Sequence, residues 1–285
     1  MSGAVTAHVA RLYFDRGLTK SEIAARLGLS RFRVARLLDQ ARTAGIVRIE
    51  IRDELAIDEA AGEALQSAYG LRLALVAREH EEIAAVAAAW LPHLLRRGEV
   101  VGTAWGATLQ AVVERLPALD AGVTVVQVCG AVPGLEPGTG PVELTLRFAE
   151  RLCARAVPLP APALASPAAR DELLANDAVR PTVELFPLVS TALVGIGPPV
   201  RELRLPRRAV GHVLVHAFAR DGRLLESGLP ERAIALGVDD LRRTRVVAVA
   251  GGPGKELAVA GALRTGLLDV LVTDALCAEA ALART

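Results

Sequence analysis

The sequence predicts an α/β protein in which a small helical module precedes a larger, mostly parallel α/β domain. Two observations carry this prediction. Apolar residues first recur every three to four positions, as in short helices packed around a small core. Short apolar runs then alternate with glycines and helical patterns, which is typical of a parallel sheet flanked by helices. With 285 residues available, we expect one domain over residues 1–55 and a second over 56–285.

The amino-terminal module begins with an apolar stripe that predicts a first helix: Val5, Val9, Leu12 and Tyr13. A second helix should begin at residue 20, because Thr19 and Glu22 have the spacing of a capping box. Its apolar face comprises Ile23, Ala24 and Leu27. Gly28 then supplies the turn toward a third helix, since glycine adopts left-handed conformations at little cost.

The third helix has the features of a DNA recognition helix. Ser30 is its predicted N-cap, and Gly45 ends it. Its inward face is apolar and is formed by Val34, Leu37, Leu38 and Ala41. Residues 46–51 then alternate apolar and polar side chains, which predicts a strand or wing. The module is therefore predicted to be a winged helix-turn-helix.

Exposed arginines on a helix are often no more than a solvated face, so the DNA-binding interpretation depends on several features agreeing. Two caps, a glycine turn and a basic outward face all agree here. Residues 1–55 also hold ten Lys or Arg against six Asp or Glu, so the basic excess lies at one end of the chain. The predicted contacts to double-stranded DNA are Thr19, Lys20, Ser30, Arg31, Arg33 and Arg36.

Composition limits the other classes. Since no run of 18 apolar residues occurs, we expect neither a membrane span nor a secretory signal, and a cytoplasmic protein. Cys129, Cys153 and Cys277 are odd in number and far apart, which argues against disulfides and a thiolate metal site. We expect them to be small buried residues. His212 and His216 could bind a metal, but without a nearby third ligand an exposed strand face is favoured.

The larger domain is predicted to contain six strands, at residues 71–77, 100–104, 123–128, 191–196, 245–250 and 269–273. Residues 212–225 are expected to form a hairpin around Asp221 and Gly222. The proline-rich stretch 158–167 is expected to be extended and at the surface, and residues 52–59 to link the domains.

Two loops of this domain are candidate anion sites, because each follows a strand and precedes a helix, where free backbone amides collect. The first is VGTAWGATL, residues 101–109, and the second is GGPGK, residues 251–255. Lys255 is the only lysine of the larger domain in a chain with 33 Lys or Arg. In the alternative interpretation, the glycines only permit tight turns and Lys255 is solvated.

These residues resemble the SorC family of bacterial transcriptional regulators. The resemblance rests on LTKSEIAARLGLSRFRVARLLDQARTAGIV, VGTAWGATL, VVQVCGA, LVGIG and VVAVAGGPGKELAVAGALRTGLLDVLVTD, in that order. It implies a helix-turn-helix head on a domain similar to sugar-phosphate isomerases, assembly as homodimers or homotetramers, and a phosphorylated sugar as effector.

The resemblance also assigns effector-binding roles, to Gly102, Thr103, Trp105, Gly106, Thr108, Gly130, Asp221, Gly251, Gly252 and Lys255. This chain departs from the family pattern at Ala35, Cys129, Ala131, Pro253 and Leu276. Because Cys129 stands where some members have an imine-forming lysine, covalent capture of the effector there is not expected.

The resulting hypothesis is a transcriptional regulator whose operator affinity is controlled by a phosphorylated sugar, with no catalytic residue, metal or cofactor. One alternative is a sugar-phosphate isomerase or deaminase with an accessory DNA-binding head, for which Asp221 and Asp274 are the carboxylates near strand ends. Another is a DNA-binding scaffold without effector.

Overall fold

The computed structural model describes residues 3–50, 55–132, 140–200, 203, 205–226, 228–229 and 231–283. The chain divides into two compact units, Met1–Glu54 and Leu55–Thr285.

The first unit is a helix-turn-helix, as predicted. Its helices are α1 (Gly3–Phe14), α2 (Lys20–Leu27) and α3 (Arg31–Thr43). Thr19 and Glu22 form the predicted capping box, and the Ser30 hydroxyl accepts from the Arg33 amide at 3.2 Å. The two hydrogen bonds that Thr19 donates lower the pKa of Glu22. Gly28 closes α2 in the left-handed conformation, with φ 62°.

Two details of this unit differ from the prediction. Val9 and Leu12 are buried as predicted, but Val5 is 45% exposed and Ala10 joins the core of α1 in its place. Residues 46–50 form no strand, and Ile51 lies outside the described residues. The alternation at 46–50 does not produce a wing because a strand needs a hydrogen-bonded neighbour, and the described part of this unit contains helices only.

The second unit is the predicted α/β domain. Its strands are β1 (Leu73–Ala77), β2 (Val100–Thr103), β3 (Thr124–Gln127), β4 (Arg155–Val157), β5 (Val189–Gly197), β6 (Gly211–Val213), β7 (His216–Phe218), β8 (Arg245–Val249) and β9 (Val270–Asp274). Its helices are α4 (Glu59–Tyr69), α5 (Ile83–Leu94), α6 (Ala107–Arg115), α7 (Pro141–Arg151), α8 (Pro167–Ala175), α9 (Arg180–Val183), α10 (Val238–Arg243), α11 (Glu256–Arg264) and α12 (Ala275–Leu282).

Seven of these strands form one parallel sheet in the order β1-β9-β8-β5-β2-β3-β4, and the β6–β7 hairpin extends β5 antiparallel. Successive residues of a strand point to opposite faces of the sheet. In β5, for example, Leu193 is buried in the core on one face and Val194 in the core on the other. Helices α5, α6 and α7 cover one face, and α4, α11 and α12 cover the other. The result is a three-layer α/β/α domain.

Three expectations for this domain are wrong in part. Asp221 and Gly222 do form a hairpin turn, with Phe218 paired antiparallel to Leu224, but the first part of this segment belongs to another hairpin, β6–β7, whose turn includes Leu214 at φ 52°. The stretch 158–167 is extended but not at the surface, because Leu159 and two alternate residues after it are buried. The sequence analysis also missed β4, since three residues give too short a pattern.

Only two of the three cysteines are buried as expected. Cys129 and Cys277 are buried, but Cys153 is exposed and has φ 46° at the turn after α7. Burial raises the pKa of both buried thiols, that of Cys277 to about 12. Within the described residues, no helix is long and apolar enough to span a bilayer.

An ion pair joins the amino-terminal edges of the central strands. The carboxylate of Glu99, just before β2, accepts two hydrogen bonds. Arg245 at the start of β8 donates one at 3.1 Å, and the hydroxyl of Thr191 on β5 donates the other at 3.1 Å. Both charged side chains are largely buried, with about 13% and 14% of their surfaces exposed. Because each charge lies where water has little access, each depends on the other for stabilisation.

We predict that Arg245→Met lowers the free energy of unfolding by about 3–5 kcal/mol, because it leaves the Glu99 carboxylate buried without a cation. Urea unfolding followed by circular dichroism measures this loss. Adding Glu99→Leu to that variant should recover most of it, since apolar groups often replace a buried pair at little cost. A single variant as stable as the parent contradicts this role.

Candidate functional site

A cavity of the α/β domain lies at the carboxyl ends of β2, β5 and β8. Its volume is about 440 Å³. The order in which the chain adds strands to the sheet reverses at this point. Strands β3 and β4 follow β2 on one side, whereas the next strand, β5, lies on the other side of β2. Ligands of open α/β sheets bind at such switch points, beyond the carboxyl ends of the strands. The lining residues include Trp105, Gly106, Thr108, Leu109, Val132, Gly195, Gly197, Pro198, His212, Leu214, Val249 and Lys255.

The first predicted loop supplies one wall. After β2, residues Ala104–Thr108 line the cavity and lead directly into α6. Gly106 has φ 135°, a conformation that side chains rarely adopt, so this turn favours glycine. The first intrahelical bond of α6 is donated by Gln110 to the Gly106 carbonyl. The amides of the first turn, before Gln110, therefore have no partner within the helix.

The second predicted loop brings Lys255 to the same cavity. Its ammonium donates a hydrogen bond to the Thr108 hydroxyl at 3.1 Å, although 147 residues separate the two. Lys255 lies at the N-cap of α11, so a second helix amino terminus also lies beside the cavity. Burial lowers the pKa of Lys255 from its ordinary value, while Cys277 and Asp274 act in the opposite direction. A cation, a hydroxyl and two helix starts thus share one region.

Gly251 and Gly252 shape this loop but are not among the residues lining the cavity. The Gly252 amide donates to an Asp274 carboxylate oxygen at 2.5 Å, and the other oxygen of Asp274 caps α12 through the Cys277 amide. A Cβ on Gly251 would lie 2.3 Å from the Ile83 side chain. An internal carboxylate therefore already occupies the amide expected to hold an anion.

Four other predicted effector residues do not line the described cavity either. Gly102 faces the Val128 and Val189 side chains, and Gly130 lies against the backbone of Pro162. Thr103 is fully buried. Asp221 lies in a separate groove with Arg208, Arg220 and Arg264, and it accepts a hydrogen bond from the Arg223 amide. Gly102 and Gly130 thus pack closely against neighbouring chain segments.

His212 lines the cavity, a role that its sequence pattern did not indicate. The residue is buried, with 5% of its surface exposed, and its ring stacks on Trp105 with the ring centres 6.4 Å apart. Nδ1 lies 2.8 Å from the Leu214 carbonyl oxygen, so this nitrogen carries the proton. Burial lowers the pKa of His212 and favours the neutral ring. No local pattern distinguishes this histidine from one on an exposed strand.

The expectation of an exposed strand face is wrong for both histidines. His216 is also buried, and its Nε2 lies 2.8 Å from the Leu236 carbonyl oxygen. The two residues belong to different strands, β6 and β7, and not to one face of a single strand. In the described part of the chain, no group of three potential ligands could hold a metal ion.

The helix-turn-helix unit presents its basic residues to solvent. Arg31, Arg33 and Arg36 on α3 are exposed, and Lys20 is half-buried at the start of α2. The hydroxyls of Thr19 and Ser30 are used in the two helix caps. The arginines thus form the outward basic surface of this unit, while the two hydroxyl residues set the directions of its helices.

Comparisons with known proteins agree with both units. The family model Sugar-bind, a sugar-binding domain, matches residues 54–283, and the model for region 4 of sigma-70 matches residues 6–44. The crystal structure of the full-length sorbitol operon regulator SorC from Klebsiella pneumoniae has a TM-score of 0.74, with 27% identity and 98% coverage of both chains. The chain belongs to the SorC family of transcriptional regulators. The resemblance seen in the sequence motifs is therefore confirmed.

Curated members of the SorC family cover nearly the whole chain. The deoxyribonucleoside regulator of Bacillus subtilis is 28% identical and covers 93% of each protein. The erythritol catabolism regulatory protein EryD of Brucella abortus is 29% identical, over 94% of this chain and 93% of the relative. These relatives are named as regulators, and this SorC-family chain is likewise a transcriptional regulator with a sugar-binding domain and a DNA-binding helix-turn-helix.

We predict that Gly102→Ala destabilises this SorC-family protein by about 1–3 kcal/mol, because the new methyl group overfills a packed region. Its carbon would lie 2.6 Å from a Val128 methyl carbon. Gly140→Ala is the matched control, since a Cβ there meets nothing within 4 Å. Thermal unfolding of both variants measures the difference. Equal stability would mean that Gly102 is not held by packing.

Proposed function

We propose that this regulator binds a phosphorylated sugar in the cavity, and that binding changes its affinity for operator DNA. Residues 1–55 are proposed as the DNA-binding domain and 56–285 as the sugar-phosphate-binding and oligomerisation domain. The observation that carries the proposal is the hydrogen bond from Lys255 to Thr108 across the cavity. Two loops far apart in the chain thereby combine charge and hydrogen-bond donors at one point.

This arrangement is suited to a phosphate group. The ammonium of Lys255 supplies positive charge, and hydrogen bonds between charged partners are about twice as strong as neutral ones. The helix starts of α6 and α11 add amides that lack partners within their helices. The amide of Gly252 does not contribute, because Asp274 occupies it. We therefore assign phosphate recognition to Lys255, Thr108 and the first turn of α6.

The remaining lining is suited to a small carbon skeleton. Trp105, Val132 and Ile196 supply apolar surface, and Gly195 and Gly197 leave room beside the strand end. A mostly apolar cavity with a few placed polar groups is the usual form of a small-molecule site. A cavity of about 440 Å³ is within the range of small-molecule sites and accommodates a sugar phosphate.

The described lining does not favour the isomerase or deaminase alternative. General acid-base catalysis needs a titratable group within hydrogen-bond reach of the substrate. The described lining residues include two titratable side chains, His212 and Lys255, but no carboxylate that could complete an acid-base pair with either of them. Asp274 is 2% exposed and is bonded to two backbone amides, and Asp221 lies in a different groove.

Control of DNA binding requires two states of the protein with different operator affinity. An effector shifts their balance only by its differential affinity for them, commonly about 1–3 kcal/mol. We propose that the regulator acts as a homodimer or homotetramer, because one short recognition helix reads too few base pairs alone. Paired helices on half-sites one turn of DNA apart would supply the missing specificity.

We predict that Lys255→Ala weakens sugar-phosphate binding about 10- to 100-fold, because it removes a charged hydrogen bond of about 1.5–3 kcal/mol. Trp105 lines the cavity, and the chain has only two tryptophans, so a Trp90→Phe background makes its fluorescence a specific probe. Titration with a panel of phosphorylated sugars gives the affinities. The variant should retain operator affinity but lose its response to the sugar.

The only other lysine provides the matched control for this experiment. Lys20→Ala should weaken operator binding and leave the fluorescence titration unchanged, since Lys20 belongs to the helix-turn-helix. If Lys255→Ala responds to a sugar phosphate as the parent does, then the phosphate site lies elsewhere. If no phosphorylated sugar changes Trp105 fluorescence or thermal stability in the parent, then the effector class is wrong.

We predict that Arg36→Ala weakens operator binding by about 1–3 kcal/mol, the usual value of a base contact that discriminates between sequences. Fluorescence anisotropy with a duplex selected by the full-length protein measures this. Folding should be unaffected, because Arg36 is exposed. Operator affinity equal to that of the parent would remove this side chain from the DNA contact.

A further inference from the structure

Phe32 is the second residue of helix α3 and is almost completely exposed. Its relative exposure is 89%, the highest of any large apolar side chain in the described residues. The next highest is Leu188, with 60%. Its sequence neighbours, Arg31 and Arg33, are both exposed. An aromatic ring in this position removes almost no apolar surface from water, so folding alone does not explain its presence.

The direction of Phe32 on the helix is specific. Side chains advance about 100° per residue around an α-helix. Val34, Leu37, Leu38 and Ala41 define the buried face of α3. Phe32 falls directly opposite the middle of that face, and Arg36 follows one turn later on the same side. Phe32 and Arg36 therefore lie at the amino-terminal end of the helix face that points away from the core.

The position of α3 in the fold identifies what this surface meets. It is the second helix of the helix-turn-helix, and the amino-terminal residues of such helices contact base edges in the major groove. The edges of the bases there are mostly polar, and their one apolar substituent larger than hydrogen is the C5-methyl group of thymine. An exposed ring at the amino-terminal end of a recognition helix therefore has one apolar partner in duplex DNA.

We propose that Phe32 reads thymine in each operator half-site, through contact between its ring and the C5-methyl group. The proposal rests on DNA binding by α3 and adds a specificity determinant to it. Arg36, on the same face, supplies the neighbouring polar contact to a base edge. Arg31 and Arg33 point to either side of this face, where the phosphates of the groove walls lie. The resulting preference is for a thymine beside the base read by Arg36.

Deoxyuridine provides the sharpest test, because it differs from thymidine only by this methyl group. A duplex is first selected from a random library with the full-length protein. Each thymine is then replaced in turn by deoxyuridine, and binding to the parent and to Phe32→Ala is measured by anisotropy. In the parent, we expect one position per half-site to lose about fourfold in affinity, the value of one buried methyl group. In Phe32→Ala, the same replacement should have no effect.

Two control variants separate this proposal from DNA binding itself. Leu188→Ala removes an exposed apolar side chain from the other unit and should keep the deoxyuridine pattern of the parent. Arg36→Ala should weaken binding to every duplex. If Arg36→Ala binds as the parent does, the assignment of the DNA-binding surface fails.

Three results would overturn the assignment of Phe32 while leaving DNA binding intact. In the first, no thymine of the selected site is sensitive to deoxyuridine. In the second, a sensitive position keeps its sensitivity in Phe32→Ala. In the third, Phe32→Ala changes the mass measured by light scattering without DNA, which would show that the ring contacts another copy of the chain.

Discussion

The parallel pairing of β2, β5 and β8 determines where ligand chemistry can occur in this protein. Parallel strands end at the same edge of a sheet, so the loops that follow them meet there although they are far apart in the sequence. The loop after β2 brings Thr108, and the loop after β8 brings Lys255. The buried Glu99–Arg245 pair joins the opposite edge of the same three strands. The ion pair therefore holds the three strands together at their amino-terminal ends, and the cavity lies at their carboxyl ends.

The chemistry of the cavity follows from which donors the fold leaves available. Asp274 uses both carboxylate oxygens to hold the Gly252 loop and the start of α12, so it neutralises an amide that would otherwise attract an anion. Lys255 is then a cation beside the cavity, and we propose that it attracts the phosphate group of the effector, since a charge acts more strongly on an anion where water has little access. Burial lowers the pKa of His212, which favours its neutral form, and its ring stacks on Trp105 beside the cavity.

Local features were predictable from the sequence, and features that depend on distant contacts were not. The caps at Thr19 and Ser30 involve residues three positions apart, so their spacing sufficed, and the longer strands show apolar runs of sufficient length. His212 has the pattern of a solvated strand, because the contacts that surround it, such as the stacking on Trp105, join residues more than 100 positions apart. The close packing around Gly102 and Gly130 could not be predicted, because a glycine required by packing looks the same in sequence as one required by a ligand. The outward direction of the Phe32 side chain follows from the helical period alone.

The central claim is that the cavity and the DNA-binding surface share one equilibrium, and thermodynamic reciprocity tests it most directly. If a sugar phosphate changes operator affinity by some factor, the operator must change sugar-phosphate affinity by the same factor. Both can be measured on the full-length protein, by anisotropy of labelled DNA with and without the sugar, and by Trp105 fluorescence with and without DNA. We predict two equal factors of about 5 to 150. Two factors of one, with both ligands bound, would contradict the claim.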